Sequence, residues 1–267
     1  MNMETTNLTA NRLKKYLKEG KRFDGRKLDE FRDISIETGV SLNAEGSAKV
    51  KVGETEVIAG VKMSVGQPYP DSGNKGNLMT MAEILPLSSQ RIEAGRPGFD
   101  SIELGRVIDR GLRESGYVDF EKLCIEENEK VWTINVDIFS INDDGNLMDA
   151  AGIAAVAALR TAEIPKYDEE NEKVLYGESS GKKLPLSENS PFSVTFYKIG
   201  DNIITDPTRE EEDISETRVT VGLLDGYVAS MQKSAEESLT IEQMNKILDL
   251  SDKLYKDLSP KLDKQMS

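Results

Sequence analysis

The chain has 267 residues, of which 37% are hydrophobic and 31% charged, and its net charge is −14. This composition suits a folded globular protein of one large or two small domains, and excludes a disordered chain and an apolar run approaching the ~20 residues of a membrane span. Histidine is absent, which removes the commonest general base, the usual zinc ligand and every Ser-His or Cys-His nucleophile pair.

In chain order, residues 9–19 (Thr-Ala-Asn-Arg-Leu-Lys-Lys-Tyr-Leu-Lys-Glu) predict a short basic amphipathic helix closed by Gly20. The opening Met1-Asn-Met-Glu-Thr-Thr-Asn-Leu lacks the apolar stretch of a signal peptide, and a cytoplasmic protein is the simplest expectation. Asp24-Gly25 marks a turn. Alternation then predicts strands over Asp33–Thr38, Ser47–Val52 and Glu56–Met63, and a fourth over Gly76–Leu87 with Met79, Met81 and Ile84 as its apolar members. A Gly95-Arg-Pro-Gly98 loop precedes a helix around 102–113. Cys124, in an apolar run, reads as a small core residue. Val131–Ile141 has the continuous apolar character of a buried strand, and a turn at 142–146 leads into a small-residue helix over Asp149–Arg160. The polar stretch 165–190 reads as a loop or hairpin excursion. Strands follow over Phe192–Tyr197, Asn202–Asp206, Arg218–Leu224 and Tyr227–Ser234, then a helix with the capping box Thr240-Ile-Glu-Gln243, which Pro260 ends or kinks. The fold class is α+β, an antiparallel-rich sheet covered by helices.

The helix 102–113 carries an unusual face. At about 100° per residue, Arg106, Arg110 and Arg113 fall on one side and Leu104, Val107, Ile108 and Leu112 on the other. Such a guanidinium stripe can cradle phosphates with planar forks of donors. The plainer alternative is a solvated face tied down by Glu103–Arg106 and Asp109–Arg113 pairs. A net charge of −14 has the wrong sign for nucleic-acid binding by the whole surface, yet leaves room for a local basic channel.

Several motifs occur in a fixed order: Arg22-Phe-Asp-Gly-Arg26, Gly46-Ser-Ala-Lys-Val-Lys-Val-Gly53, Ile84-Leu-Pro-Leu-Ser, the arginine helix, and Asp144-Gly with its Ala-rich helix. Together they resemble the RNase PH family of phosphorolytic 3′→5′ exoribonucleases over residues 20–257. Within it, the opening segment and Asp206-Pro-Thr-Arg-Glu-Glu-Glu-Asp213 most resemble archaeal exosome ring subunits that carry no active site. The resemblance implies two βαβα-type halves. The expected layout is an N-terminal helical extension (1–20), a first half (21–165), a connecting excursion (166–190), a second half (191–257) and a tail (258–267).

The resemblance further implies a hexameric ring of three heterodimers with a catalytic RNase PH-like partner, RNA-binding cap subunits and single-stranded RNA, and no membrane. Inorganic phosphate is then the co-substrate in the partner's site, where a divalent cation is also a candidate, and this chain holds no cofactor of its own. In catalytic relatives two acids six residues apart stand beside the phosphate. The matching positions here are Glu212 and Arg218, so the second has the opposite charge. The Gly-(Ser/Thr)-Arg phosphate turn is replaced by Asn146, Leu147 and Met148, with Asp149 following. These departures imply a subunit that is inactive alone, binds RNA through Arg106, Arg110 and Arg113, and structures the partner's active site. Arg22 and Arg26 match a structural or ring-interface element. Two other readings stay open: an autonomous phosphorolytic exoribonuclease using Glu212, Asp213 and Asp206, and a homo-oligomeric RNA-binding module.

Overall fold

The computed structural model describes residues 5–266. Helix α1 (Asn7–Lys18) is capped by the Thr6 hydroxyl and is followed by a β-meander of β1 (Ile34–Thr38), β2 (Gly46–Val52) and β3 (Thr55–Gly66). Period-2 alternation sends Ala48, Val50 and Val52 of β2, and Val57, Ala59, Val61 and Met63 of β3, to one buried face. Strand β6 (Lys130–Asn142) lies beside β3 in antiparallel register, with Val61 opposite Val136. Strand β4 (Asn77–Ile84) closes that edge parallel to β6, and the short β5 (Cys124–Glu126) pairs with the end of β6. Cys124 is half-buried there rather than part of the core.

Not all the apolar members of β4 face the core. Leu78 and Ala82 point inward, whereas Met79 and Met81 are 48% and 61% exposed. The reason is helix α2 (Phe99–Glu114), which lies over this strand with Gly105 against the backbone of Thr80 and Ala82. So close an approach admits the small Ala82 on the inner face and leaves the bulky methionines on the outer one.

Helix α3 (Leu147–Thr161) is buried on nearly every side. Its first sheet neighbours are β2 and β3, and its opposite side meets the second sheet, ordered β10-β9-β11-β12: β10 (Asn202–Thr205), β9 (Phe192–Ile199), β11 (Thr217–Leu224) and β12 (Tyr227–Ser234). Alanines let both sheets close on one helix, as expected for a helix apolar all round. At Gly46 a Cβ would lie 2.3 Å from the Ala158 carbonyl, so the contact tolerates no side chain there. The two halves therefore share one hydrophobic core. A smaller cluster under α1 joins Leu13 and Leu17 to Tyr197, Ile199 and Ile214.

The excursion between the halves is a hairpin, β7 (Glu163–Asp168) with β8 (Lys173–Lys183), whose first strand begins before residue 165. The acidic run after Asp206 contains a short helix, α4 (Arg209–Asp213), with a Thr208/Glu211 capping box that sequence reading missed. Helix α5 (Ile241–Gln265) begins at the predicted Thr240/Gln243 box but continues through Pro260. Residues 258–265 are thus helix rather than a separate tail, and Leu262 is buried against the core. A proline within the last turns withholds one backbone donor without forcing the helix to stop.

Asp149, in the first turn of α3, is fully buried and accepts from the Thr195 hydroxyl (2.7 Å), the Thr195 amide (3.1 Å) and Asn146 Nδ2 (3.1 Å). Burial pushes its carboxyl up to about 7, against the pull of those donors. Between its unfolded value of 3.8 and about 7, the folded chain therefore holds a proton that the unfolded chain has released. That stabilisation is complete at low pH and lost as pH rises through 7. Thermal midpoints should fall as pH rises from about 4 to about 7 and level off above that. Asp149→Asn should flatten that slope, because its oxygen keeps both N–H donors while Thr195 turns its hydroxyl proton to Thr220, 3.0 Å away. An unchanged slope would place the titration elsewhere.

Candidate functional site

Two neighbouring surfaces hold the residues singled out by sequence. The first is the outer side of α2. Arg106 and Arg110 are exposed there, and Arg106 makes no hydrogen bond or ion pair with the described residues. Arg110 Nη1 donates to Gln232 Oε1 of β12 at 3.0 Å. Arg113 differs: it pairs with Asp109 at 3.0 Å and donates to the Leu78 carbonyl at 2.8 Å, tying the helix to β4. The structure thus brings Arg106 and Arg110 together on open surface and commits Arg113 internally. The predicted Asp109–Arg113 pair is present. Glu103, read as a partner of Arg106, instead faces Arg218.

The second surface is a cleft of about 220 Å³ between the halves, lined by Arg91, Leu147, Met148, Arg209, Glu212 and Arg218 among others. The N-terminus of α3 opens onto it. Asn146 holds the left-handed conformation (φ 58°) before the helix, and its amide donates to Glu212 Oε2 at 2.9 Å. The backbone donor that could greet a phosphate is therefore already taken by a carboxylate. Leu147 and Met148 wall the cleft with apolar atoms.

The remaining charges are paired in the same way. Arg218 donates to Glu103 at 2.6 Å and lies 3.7 Å from Glu212. Burial alone would lower its hold on the proton, but Tyr197, Glu103 and Glu212 outweigh that and raise it above its ordinary value. Burial also pushes the Tyr197 phenol well up, with Glu212 adding to it, so its neutral hydroxyl donates to Glu212 at 3.4 Å. Asp213 accepts from Arg91 at 2.6 Å, from Arg209 at 3.1 Å and from Thr5 at 2.7 Å. Despite partial burial these partners hold its carboxyl below the usual range. Arg209 also reaches Asp143 at 3.1 Å. A cation in this cleft would meet three guanidiniums, with Glu212 and Asp213 already committed and Asp100 alone among the described lining acids without a hydrogen bond or ion pair, so these residues do not fit a metal.

Arg22 and Arg26 lie behind the cleft in a buried network centred on Asp206. The Asp206 carboxylate accepts from Arg26 at 2.8 Å, Arg32 Nη2 at 2.7 Å and Asn146 Nδ2 at 2.9 Å. Arg22 is buried, bonded to Glu211 and to the Thr205 and Asp206 carbonyls at 3.0 and 2.7 Å. Burial would raise the Asp206 carboxyl, but Arg32 and Asn146 more than offset it and hold it low. At Gly145 (φ +86°) a Cβ would lie 2.7 Å from the Pro207 carbonyl, which keeps this crossing between the halves tight.

Sequence reading missed Arg91 and Arg209 as cleft residues. Arg209 had a usable signal, its i,i+4 spacing to Asp213. Arg91 had none, since its partner is 122 positions away.

Comparison with known proteins agrees with this geometry. Residues 30–165 match the model of domain 1 of the 3′ exoribonuclease family, RNase PH, and residues 189–253 match its domain 2. The exosome complex component Rrp42 of Methanocella arvoryzae is 46% identical over 246 residues, covering 92% of each chain. Among solved structures, a chain of an Archaeoglobus fulgidus exosome with RNA bound to the active site aligns with a TM-score of 0.88 at 41% identity, covering 96% of this chain and 98% of that one. A chain of an archaeal exosome core aligns at 0.83 and 39% identity, with 96% of both chains covered.

Proposed function

The chain belongs to the 3′ exoribonuclease (RNase PH) family, and from that premise we propose that it is the non-catalytic ring subunit of an archaeal-type exosome, holding RNA while a partner performs phosphorolysis. One observation carries this reading. Glu103, Glu212, Asp213 and Asp206 are each committed to a guanidinium or a backbone amide, whereas Arg106 and Arg110 remain on open surface. Guanidiniums held on a rigid helix suit phosphate oxygens. The alternative of an autonomous exoribonuclease needs Glu212, Asp213 and Asp206 free, and each is bonded within the chain.

The finer assignment is a hexamer of three heterodimers with a catalytic RNase PH-like subunit, topped by RNA-binding cap subunits, acting on single-stranded RNA in the cytoplasm. Inorganic phosphate attacks in the partner's site, and any divalent cation belongs there too. Among the described residues no helix is long and apolar enough to cross a membrane.

The test is phosphate-dependent shortening of a 5′-labelled unstructured RNA by this chain alone and mixed with its RNase PH-like partner. Activity in the mixture only is expected; activity of the isolated chain would overturn the reading. A single reversal should not awaken it. In Arg218→Asp the new carboxylate would face Glu103 and Glu212, while Glu212 still occupies the Asn146 amide. We expect no release of nucleoside diphosphates by that variant, and a lower unfolding midpoint from the clustered like charges. Robust phosphorolysis by it would show that the phosphate turn lies elsewhere.

A further inference from the structure

The N-terminal helix carries charge of the opposite sign to the chain as a whole. Against a net charge of −14, residues 7–21 hold five basic side chains and one acidic one. Leu13 and Leu17 bury the inner face of α1, and Arg12, Lys14, Lys15, Lys18 and Lys21 are all exposed. Lys14 and Lys21 have acidic neighbours, Glu216 at 3.8 Å and Glu19 at 3.7 Å. Lys15 and Lys18 make no hydrogen bond or ion pair with the described residues, and at i,i+3 spacing they are neighbours on the helix surface.

Beside these lysines stands an aromatic corner. Tyr16 and Phe23 meet edge to face at 5.0 Å, with the Arg12 guanidinium 5.8 and 5.6 Å from their centroids. Phe23 remains 43% exposed although the turn that carries it is anchored by the buried Arg22. A fixed, exposed aromatic ring with a stacked guanidinium and unpaired lysines is the combination that binds single-stranded nucleic acid without sequence preference.

We propose that α1 and the turn after it form a binding site for single-stranded RNA separate from the α2 arginines. Phe23 and the Arg12 guanidinium supply the stacking surface, and Lys15 and Lys18 contact phosphates. RNA is favoured over an acidic polypeptide by the exposed ring, which stacks on a base and gains little from a carboxylate. Thr5, just before α1, bonds to Asp213 of the cleft.

The experiment uses the full chain with labelled oligoadenylate across a range of salt concentrations. Phe23→Ala should weaken binding about tenfold, the loss of one stacked base. The double change Lys15→Glu with Lys18→Glu should lower the slope of log affinity against log salt by roughly 1.4, about 0.7 per phosphate on a single strand. Phe23→Trp should restore binding, and RNA should quench the new tryptophan; the native Trp132 is buried. Unchanged affinity in Phe23→Ala and in the lysine double variant would overturn the proposal, as would displacement of oligoadenylate by polyglutamate at equal charge concentration. If only Arg110→Glu weakens binding, this site fails while the ring-subunit reading stands.

Discussion

Arg110→Glu should leave the ring assembled and slow RNA shortening by the complex about tenfold or more, because a charge-assisted hydrogen bond to phosphate contributes roughly 1.5–3 kcal/mol and its replacement adds repulsion. The side chain is exposed, and among the described residues it bonds only to the neutral Gln232, so the fold loses little. The measurement is single-turnover decay of labelled RNA by the reconstituted complex, with its mass determined in parallel. Arg106→Glu should behave alike, and the salt dependence of RNA binding should flatten by roughly 0.7 for each arginine removed. Arg113→Glu should differ in kind. It breaks the Asp109 pair and the bond to Leu78, so it should reduce stability as well as RNA handling. Decay unchanged by Arg110→Glu would remove that residue from the RNA path.

Asp206→Ala should be the most destabilising single change in the chain, at about 3–5 kcal/mol, the loss typical when one partner is removed from a buried ion network. Arg26 and Arg32 side chains are only 11% and 10% exposed, and would lose the buried carboxylate they share, keeping only the more exposed Asp24 and Asp144. The same carboxylate anchors Asn146, so the damage reaches the start of α3. Denaturant unfolding reads the effect directly, and a loss below about 1 kcal/mol would show that the network contributes little. Because the Asp206 carboxyl is held low, its contribution is present above its unfolded value of 3.8 and is lost as pH falls through the folded value. Acid should therefore loosen the same crossing that the substitution removes.

Much of the fold was legible because its strongest signals are local. The alternation of β2 and β3, the continuous apolar β6 and the small-residue α3 each state their burial in their own residues. What was misread depends on neighbours distant in the chain. The apolar residues of β4 did not by themselves say which face is buried; Gly105 of α2 decides it by fixing the side on which a helix can approach. Pro260 read as an end or a kink because sequence does not show that α5 has a core to lie on. In the site, the open face of Arg106 and Arg110 followed from helical periodicity. The engagement of Arg218 by Glu103, 115 positions away, did not. The charge reversal at 218 was visible as a departure from the family. That a carboxylate on helix α2 pairs with it was a fact of three dimensions.

Helix α2 packs against β4 on one side of the shared core and β12 on the other, and α3 is walled by both sheets. Hinging one half against the other would open a void along α3 and forfeit the dispersion contacts of its alanines. The spacing of the backbone positions that carry the α2 arginines is accordingly set when the chain folds, before any ligand arrives. Little ordering entropy of the main chain is left to lose on encounter, so under the proposed RNA-binding role the arginine row would work as a preformed gauge of phosphate positions.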